Sequence, residues 1–134
     1  MPSHLASVSL LVPDYDRAIA HYCGDLGFDL IQDTDLGLDA VGHAKRWVLV
    51  APPGSRETRL LLARASTSEQ AAQIGNQAGG RVFLILQTDD FTRDHARFTA
   101  AGVSFTEPPR HEPYGTVAVF RDAFGNLWDL LQPK

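Results

Sequence analysis

The chain is poor in the features that mark the simplest functional classes. It has one cysteine, Cys23, in 134 residues, which excludes an internal disulfide and any multi-cysteine metal site. It has no basic run: 12 Lys and Arg are intermixed with 16 Asp and Glu for a net charge of -4. Nothing would neutralise a row of phosphates, so no nucleic-acid partner is expected. Long apolar runs are missing too. "VSLLV" and "WVLVA" fall far short of the roughly 20 residues that span a bilayer, and no basic stretch followed by an apolar one opens the chain. No membrane partner is expected, and a cytoplasmic location is.

What is present is the composition of a folded domain, 44% hydrophobic and 21% charged, with enough apolar residues to exclude disorder. The length suits one domain, residues 1–134. Within it the chain says the same thing twice. Residues 7–31, "SVSLLVPDYDRAIAHYCGDLGFDLI", read as a strand, an acidic helix start, a helix, a glycine and a second strand, and residues 82–106, "VFLILQTDDFTRDHARFTAAGVSFT", read the same way. Gly27 answers to Gly102, and Asp14 to Asp89, or to Asp90 if the first strands are shifted by one. These acids suit helix N-caps and the glycines suit helix ends.

Ala18, Ile19, Tyr22, Cys23 and Leu26 recur at helical spacing, which places Cys23 as a small hydrophobe on an apolar face. Phe91, Ala96, Phe98 and Ala101 give the second helix a weaker face. "RWVLVAPPGSRETRLLLA" and "VAVFRDAFGNLWDLLQ" are each a strand, a glycine turn and a returning strand. The fold expected is α+β, two tandem βαβββ units forming curled mixed sheets around a cleft. Unit one covers about 5–64, a linker about 65–80 with a short helix near Glu69 to Ile74, and unit two about 81–132. A concave cleft is the place to look for a ligand.

"VSLLVPDYDRAIAHYCGDLGF", "RWVLVAPPG", "GVSF" and "YGTVAVFRDAFGNLWDL" resemble the vicinal oxygen chelate superfamily, which includes glyoxalases, extradiol dioxygenases, epimerases, fosfomycin-resistance enzymes and bleomycin-resistance proteins. The resemblance runs over about residues 5 to 131. It implies a cleft that in metal-bearing members holds a divalent ion through His, Glu or Gln side chains on the first and last strands of each unit. The corresponding positions here are Ser7, Phe83 (or Val82), Leu61 and Asp129. One carboxylate, one hydroxyl and two hydrocarbons do not make a divalent-cation site, so no cofactor is expected.

The five histidines do not repair the set. His4 precedes the first strand, His21 and His95 fall on helices as surface or rim residues, and His43 is in a loop. His111 lies in the loop "PPRHEPYG", beside Tyr114, where the resemblance implies a cleft edge.

Strand alternation groups Ser7, Ser9 and Leu11; Trp47 and Leu49; Phe83, Ile85 and Gln87; and Leu127, Asp129 and Leu131, with Trp128 and Leu130 turned to a helix. Trp47, Phe83 and Phe120 are available to stack on a planar ligand. The candidate ligand-binding residues are Ser7, Ser9, Trp47, Phe83, Gln87, His111, Tyr114 and Asp129, and Asp129 is the one catalytic candidate. An acid in "LWDLL" needs a partner, such as Arg46, Ser7 or a ligand amine.

Three functions compete. The first is a metal-free binder of an aromatic or cationic small molecule. The second is a lyase, isomerase or dioxygenase using an unusual metal set or Asp129 as a base. The third is a structural or protein-interaction role. The first is the expectation, with a homodimer as the working species.

Overall fold

The computed structural model of the chain describes residues 2–134. Two compact units form, with the boundary between Gln73 and Ile74. In the first unit β1 (Ser7–Val12) leads into helix α1 (Tyr15–Ile19), a π-helix (Ala20–Asp25), β2 (Asp29–Leu38), β3 (Ala44–Ala51), β4 (Arg59–Arg64) and α2 (Ser68–Ala72). Its sheet has the order β1-β4-β3-β2, with β1 parallel to β4 and the other pairs antiparallel. Leu10, Val12, Val48, Val50, Leu60 and Leu62 are buried on one face, as are Tyr15, Ala18, Tyr22 and Leu26 of the helical segment.

The second unit follows the same plan: β5 (Val82–Gln87), α3 (Phe91–Ala100), β6 (Ser104–Phe105), β7 (Arg110–Glu112), β8 (Gly115–Arg121) and β9 (Leu127–Pro133). Here β5 runs parallel to β9, β9 pairs antiparallel with β8, and β6 and β7 both lie along β8. The buried face carries Leu86, Ala118, Phe120, Trp128 and Leu130, with Phe91 and Phe98 of α3. Ala96 and Ala101 face solvent instead of the sheet, so the two phenylalanines, two helical turns apart, carry the packing.

The caps settle the register of the repeat. Asp14 accepts from the Arg17 amide at 2.8 Å and Asp90 from the Arg93 amide at 3.0 Å. Asp90, not Asp89, is thus the counterpart of Asp14, and Phe83 that of Ser7. Because Gly27 still answers to Gly102, the first unit holds one residue more between cap and terminal glycine.

The π-helix absorbs that residue: the Leu26 amide donates five residues back, to the His21 carbonyl, at 3.0 Å. The wider turn rotates His21 inward, where it is 6% exposed and its Nδ1 lies 2.9 Å from Asp25 Oδ2. The expectation of a surface His21 is corrected by this turn, because a regular 3.6-residue reading would leave it outside.

The second unit also departs from the expected three strands after its helix. The segment between α3 and β8 breaks into β6 and β7 around Pro108 and Pro109, which have no N–H to give a ladder. At the break the Glu107 carboxylate takes the Val119 amide at 3.1 Å. In the expected linker, Thr67 caps α2 through the Gln70 amide at 3.0 Å.

Candidate functional site

Each sheet has one face packed on its helix and one left open. On the open face of the second unit, Ile85 of β5 lies beside Asp129 of β9, which lies beside Val119 of β8. The next rung is Gln87, Leu131, Val117 and Arg110. On the other side of Asp129, Leu127 pairs with Arg121 of β8 and Val82 of β5, and the ladder bulges at Phe83, which lines the same surface region as Leu127 and Arg121. Ile85 is 63% exposed and Phe83 and Leu127 are half-buried, so apolar side chains lie next to one carboxylate, with Gln87, Arg110 and Arg121 on the flanking rungs.

That carboxylate meets no hydrogen-bond donor among the described residues. Burial pushes the Asp129 pKa up; Arg110 opposes the shift and the Glu107 charge adds to it. Arg110 acts on Asp129 by charge and not by a hydrogen bond: its Nε is held by Glu107 at 3.0 Å and its Nη1 by Glu112 at 3.1 Å. A half-buried acid left without a partner is suited to an ammonium or another donor arriving from outside.

Asp122, seven residues earlier on the adjoining turn, shows the opposite case. Its buried carboxylate accepts from the amides of Phe124 and Asn126 at 3.0 and 2.9 Å, from Asn126 Nδ2 at 3.0 Å and from Trp128 Nε1 at 3.0 Å. This acid holds the turn together. Asn126 Oδ1 is buried without a partner among the described residues.

On the open face of the first unit, Ser9 pairs with Leu61 and Leu61 with Leu49, while Leu11 pairs with Ala63. Leu11, Trp47, Leu61 and Ala63 form the apolar side of a pocket of about 320 Å³, with Lys45 and Arg64 on its polar side. Gln70, also in the wall, accepts from the Ser66 amide at 2.8 Å and from its hydroxyl at 3.0 Å. The volume is at the low end for organic ligands, and Trp47, 38% exposed, presents an indole to it.

The candidate residues thus divide by unit. Ser7, Ser9 and Trp47 share one open face; Gln87 and Asp129 share the other, with Phe83 at the bulge of β5. Tyr114, at the β7–β8 turn, is 55% exposed. His111 lies within β7 and not in a loop. It pairs with Thr116, its Nδ1 3.4 Å from the Thr116 hydroxyl, and alternation turns it away from the face of Arg110 and Asp129.

Two other expectations are corrected. Phe120 is fully buried among Phe98, Phe105 and Trp128 and stacks on no ligand. Arg46 is no partner for Asp129: its guanidinium holds Asp33 at 2.6 Å and Asp16 at 2.9 Å, and it keeps Asp33 below the usual carboxylate range. Cys23 keeps its thiol, because burial and then Asp29 push its pKa up. Lys45, Arg64 and Gln70 were not anticipated, since nothing in their spacing sets them apart. Arg110 was legible in principle as a cation flanked by Glu107 and Glu112.

Comparison with known proteins agrees with this architecture. Residues 4–130 match the Glyoxalase/Bleomycin resistance protein/Dioxygenase superfamily. The chain belongs to that superfamily. It is 55% identical over 132 residues to an uncharacterized protein of Shewanella frigidimarina (strain NCIMB 400), covering 98% of this chain and 95% of the relative. Among solved structures it is similar to UcmS2, with a TM-score of 0.80, 30% identity and 98% of both chains covered. It is also similar to TnmS3, an antibiotic binding protein from Streptomyces sp. CB03234, with a TM-score of 0.75, 33% identity, and 99% and 98% covered.

The superfamily admits divalent ions, and the donor set here can be tested against one. Ser7 is an exposed neutral hydroxyl; Leu61, half-buried between Ser9 and Leu49, and Phe83 have no donor atom. Asp129 alone offers a charge. A hard cation surrenders its water only to several converging oxygens or nitrogens, so these residues do not fit the group. No cluster of three or more His, Cys, Asp or Glu that could hold an ion occurs among the described residues.

Proposed function

We propose that the chain binds an organic small molecule without a metal ion, with Asp129 as the anionic anchor of a largely apolar face and a cationic or aromatic ligand as its occupant. The observation that carries the reading is the half-buried Asp129 carboxylate with no donor of its own among the described residues. Apolar surface at Ile85, Phe83 and Leu127 in the same unit supports it, as does the similarity to an antibiotic binding protein. No bond is made or broken in this reading; the protein sequesters its ligand.

The test is a thermal-shift and calorimetric screen of arylalkyl amines, which are protonated at neutral pH, against protein dialysed with a chelator. At least one amine raises the midpoint, and Asp129→Asn weakens its binding on the order of tenfold, as expected for one charge-assisted hydrogen bond. Turnover of any bound compound by the chelated protein, or ligand binding indifferent to Asp129→Asn, overturns the proposal. No helix among the described residues is long and apolar enough to cross a membrane. We propose that the working species is a cytoplasmic homodimer, for which Leu36, Leu38 and Val41 leave exposed apolar surface. Sedimentation at a mass of 14.7 kDa across the micromolar range would refute the dimer.

A further inference from the structure

A pocket of about 220 Å³ opens in the second unit beside the glycine-rich segment 75–80. Arg81 and Arg121 both line it, and no carboxylate does. Two other arginines of this unit are neutralised locally, Arg93 by Asp89 and Asp94, and Arg110 by Glu107 and Glu112. Arg81 and Arg121 have no carboxylate within 4.0 Å among the described residues, and Arg121 gives only one Nη1–H to the Gly125 carbonyl at 3.3 Å. Asp122, the nearest acid in sequence to Arg121, is buried and spends its oxygens on the turn.

The rest of the wall suits an anion with a body. Gly80 takes a φ of 93° that an L side chain rarely adopts, and its main-chain N–H meets no acceptor among the described residues. Phe83 and Leu127 add apolar surface. Asn126, also in the wall, is 2% exposed and gives one Nδ2–H to Asp122.

We propose that this pocket is a second ligand site that takes an oxyanion carried on an apolar body, a carboxylate or a phosphate held by the Arg81 and Arg121 forks and the Gly80 amide with its body against Phe83 and Leu127. Guanidinium groups match the planar edge of an oxyanion with paired donors, and a loop of glycines with positive φ lets a main-chain amide approach it. The site shares Phe83, Leu127 and Arg121 with the rungs beside Asp129 but makes no use of its carboxylate, so it does not depend on Asp129 binding a cation.

The experiment is an NMR titration of ¹⁵N-labelled protein at constant ionic strength with phenyl phosphate, benzoate and inorganic phosphate. The amide signal of Gly80 and the Nε–H signals of Arg81 and Arg121 shift and saturate with one or both aromatic probes, the tighter one naming the preferred anion. Arg81→Gln and Arg121→Gln each weaken that binding on the order of tenfold, while Arg93→Gln leaves it unchanged. Both arginines are exposed, so the variants fold, and an otherwise unaltered amide spectrum verifies it. No shift at these signals with either aromatic probe overturns the proposal, as does binding equally tight in both variants. Inorganic phosphate binding as tightly as phenyl phosphate overturns the part assigned to Phe83 and Leu127.

Discussion

Asp122 and Asp129 are seven residues apart and have opposite surroundings, so substitution separates them cleanly. Removing the Asp122 carboxylate strands the amides of Phe124 and Asn126, the Asn126 Nδ2 group and the Trp128 indole N–H. Each buried donor left unpaired costs about 1–3 kcal/mol, and relaxation recovers part, so Asp122→Ala loses about 3–5 kcal/mol in urea unfolding. Asp122→Asn is milder, because the remaining oxygen can still serve the two main-chain amides while its NH₂ faces the donors of Asn126 and Trp128. Asp129 behaves in the reverse sense. Burial raises its pKa, so the folded chain holds that proton more tightly than the unfolded one. The stability this contributes is full below the ordinary aspartate range and is lost as pH rises through the raised value. At neutral pH the charged carboxylate is a net cost, and Asp129→Asn raises the thermal midpoint there. The gain shrinks to nothing as pH falls below the aspartate range, and thermal scans of both proteins across pH 3 to 8 check it. An equal gain at every pH would mean that ionisation of Asp129 is not the cause.

At the scale of elements, the parts legible in the sequence were those fixed by a single residue with one job. Asp14 as a cap, Gly27 and Gly102 at helix ends, and the Asp122–Asn126 turn could be read because a cap or a positive φ admits few residue types. Alternation likewise grouped Ile85 with Gln87, and Asp129 with Leu127 and Leu131, while a bulge in β5 takes Phe83 out of that simple pattern. What escaped was the effect of one residue or one missing N–H. The π-helix adds a residue to a pattern that reads as a regular helix, and so misplaces His21; Pro108 and Pro109 split a strand and put His111 on the far face. Pockets formed where chain segments converge, as around Lys45, Arg64 and Gln70, have no signature in linear spacing. The glycines allow the element-level account to be tested. A Cβ at Gly24, in the π-helix, would meet nothing within 4 Å, and its φ is not positive. Gly24→Ala therefore stabilises by about 0.5–1 kcal/mol through the unfolded state. Gly75, with φ 77°, would drive a Cβ into the Phe124 carbonyl, and Gly75→Ala costs about 2 kcal/mol or more. Denaturation midpoints moving in opposite directions with unchanged slopes are the expected result.

At the scale of the whole molecule, membership of the superfamily fixes the architecture and leaves the chemistry to the side chains on it. A resident divalent ion would be visible in the stability of the entire chain, because any ligand that binds only the folded state stabilises it by mass action. At a concentration a thousand times its dissociation constant the gain is about 4 kcal/mol, which in a chain of this size moves the midpoint on the order of 10 °C. Ser7, Leu61 and Phe83 offer such an ion no charged oxygen and no nitrogen, and Asp129 alone offers one carboxylate. Exhaustive dialysis against a chelator therefore shifts the thermal midpoint by less than about 1 °C, and addition of Zn²⁺, Mn²⁺ or Mg²⁺ does not raise it. Ligand-induced stabilisation measured before and after chelation stays the same, because the anchor is a carboxylate acting directly on the ligand. A fall of several degrees on chelation, restored by one equivalent of a single ion and absent in Asp129→Ala, would show that the chain assembles a metal centre from donors outside the four strand positions, and metal-free binding would be wrong.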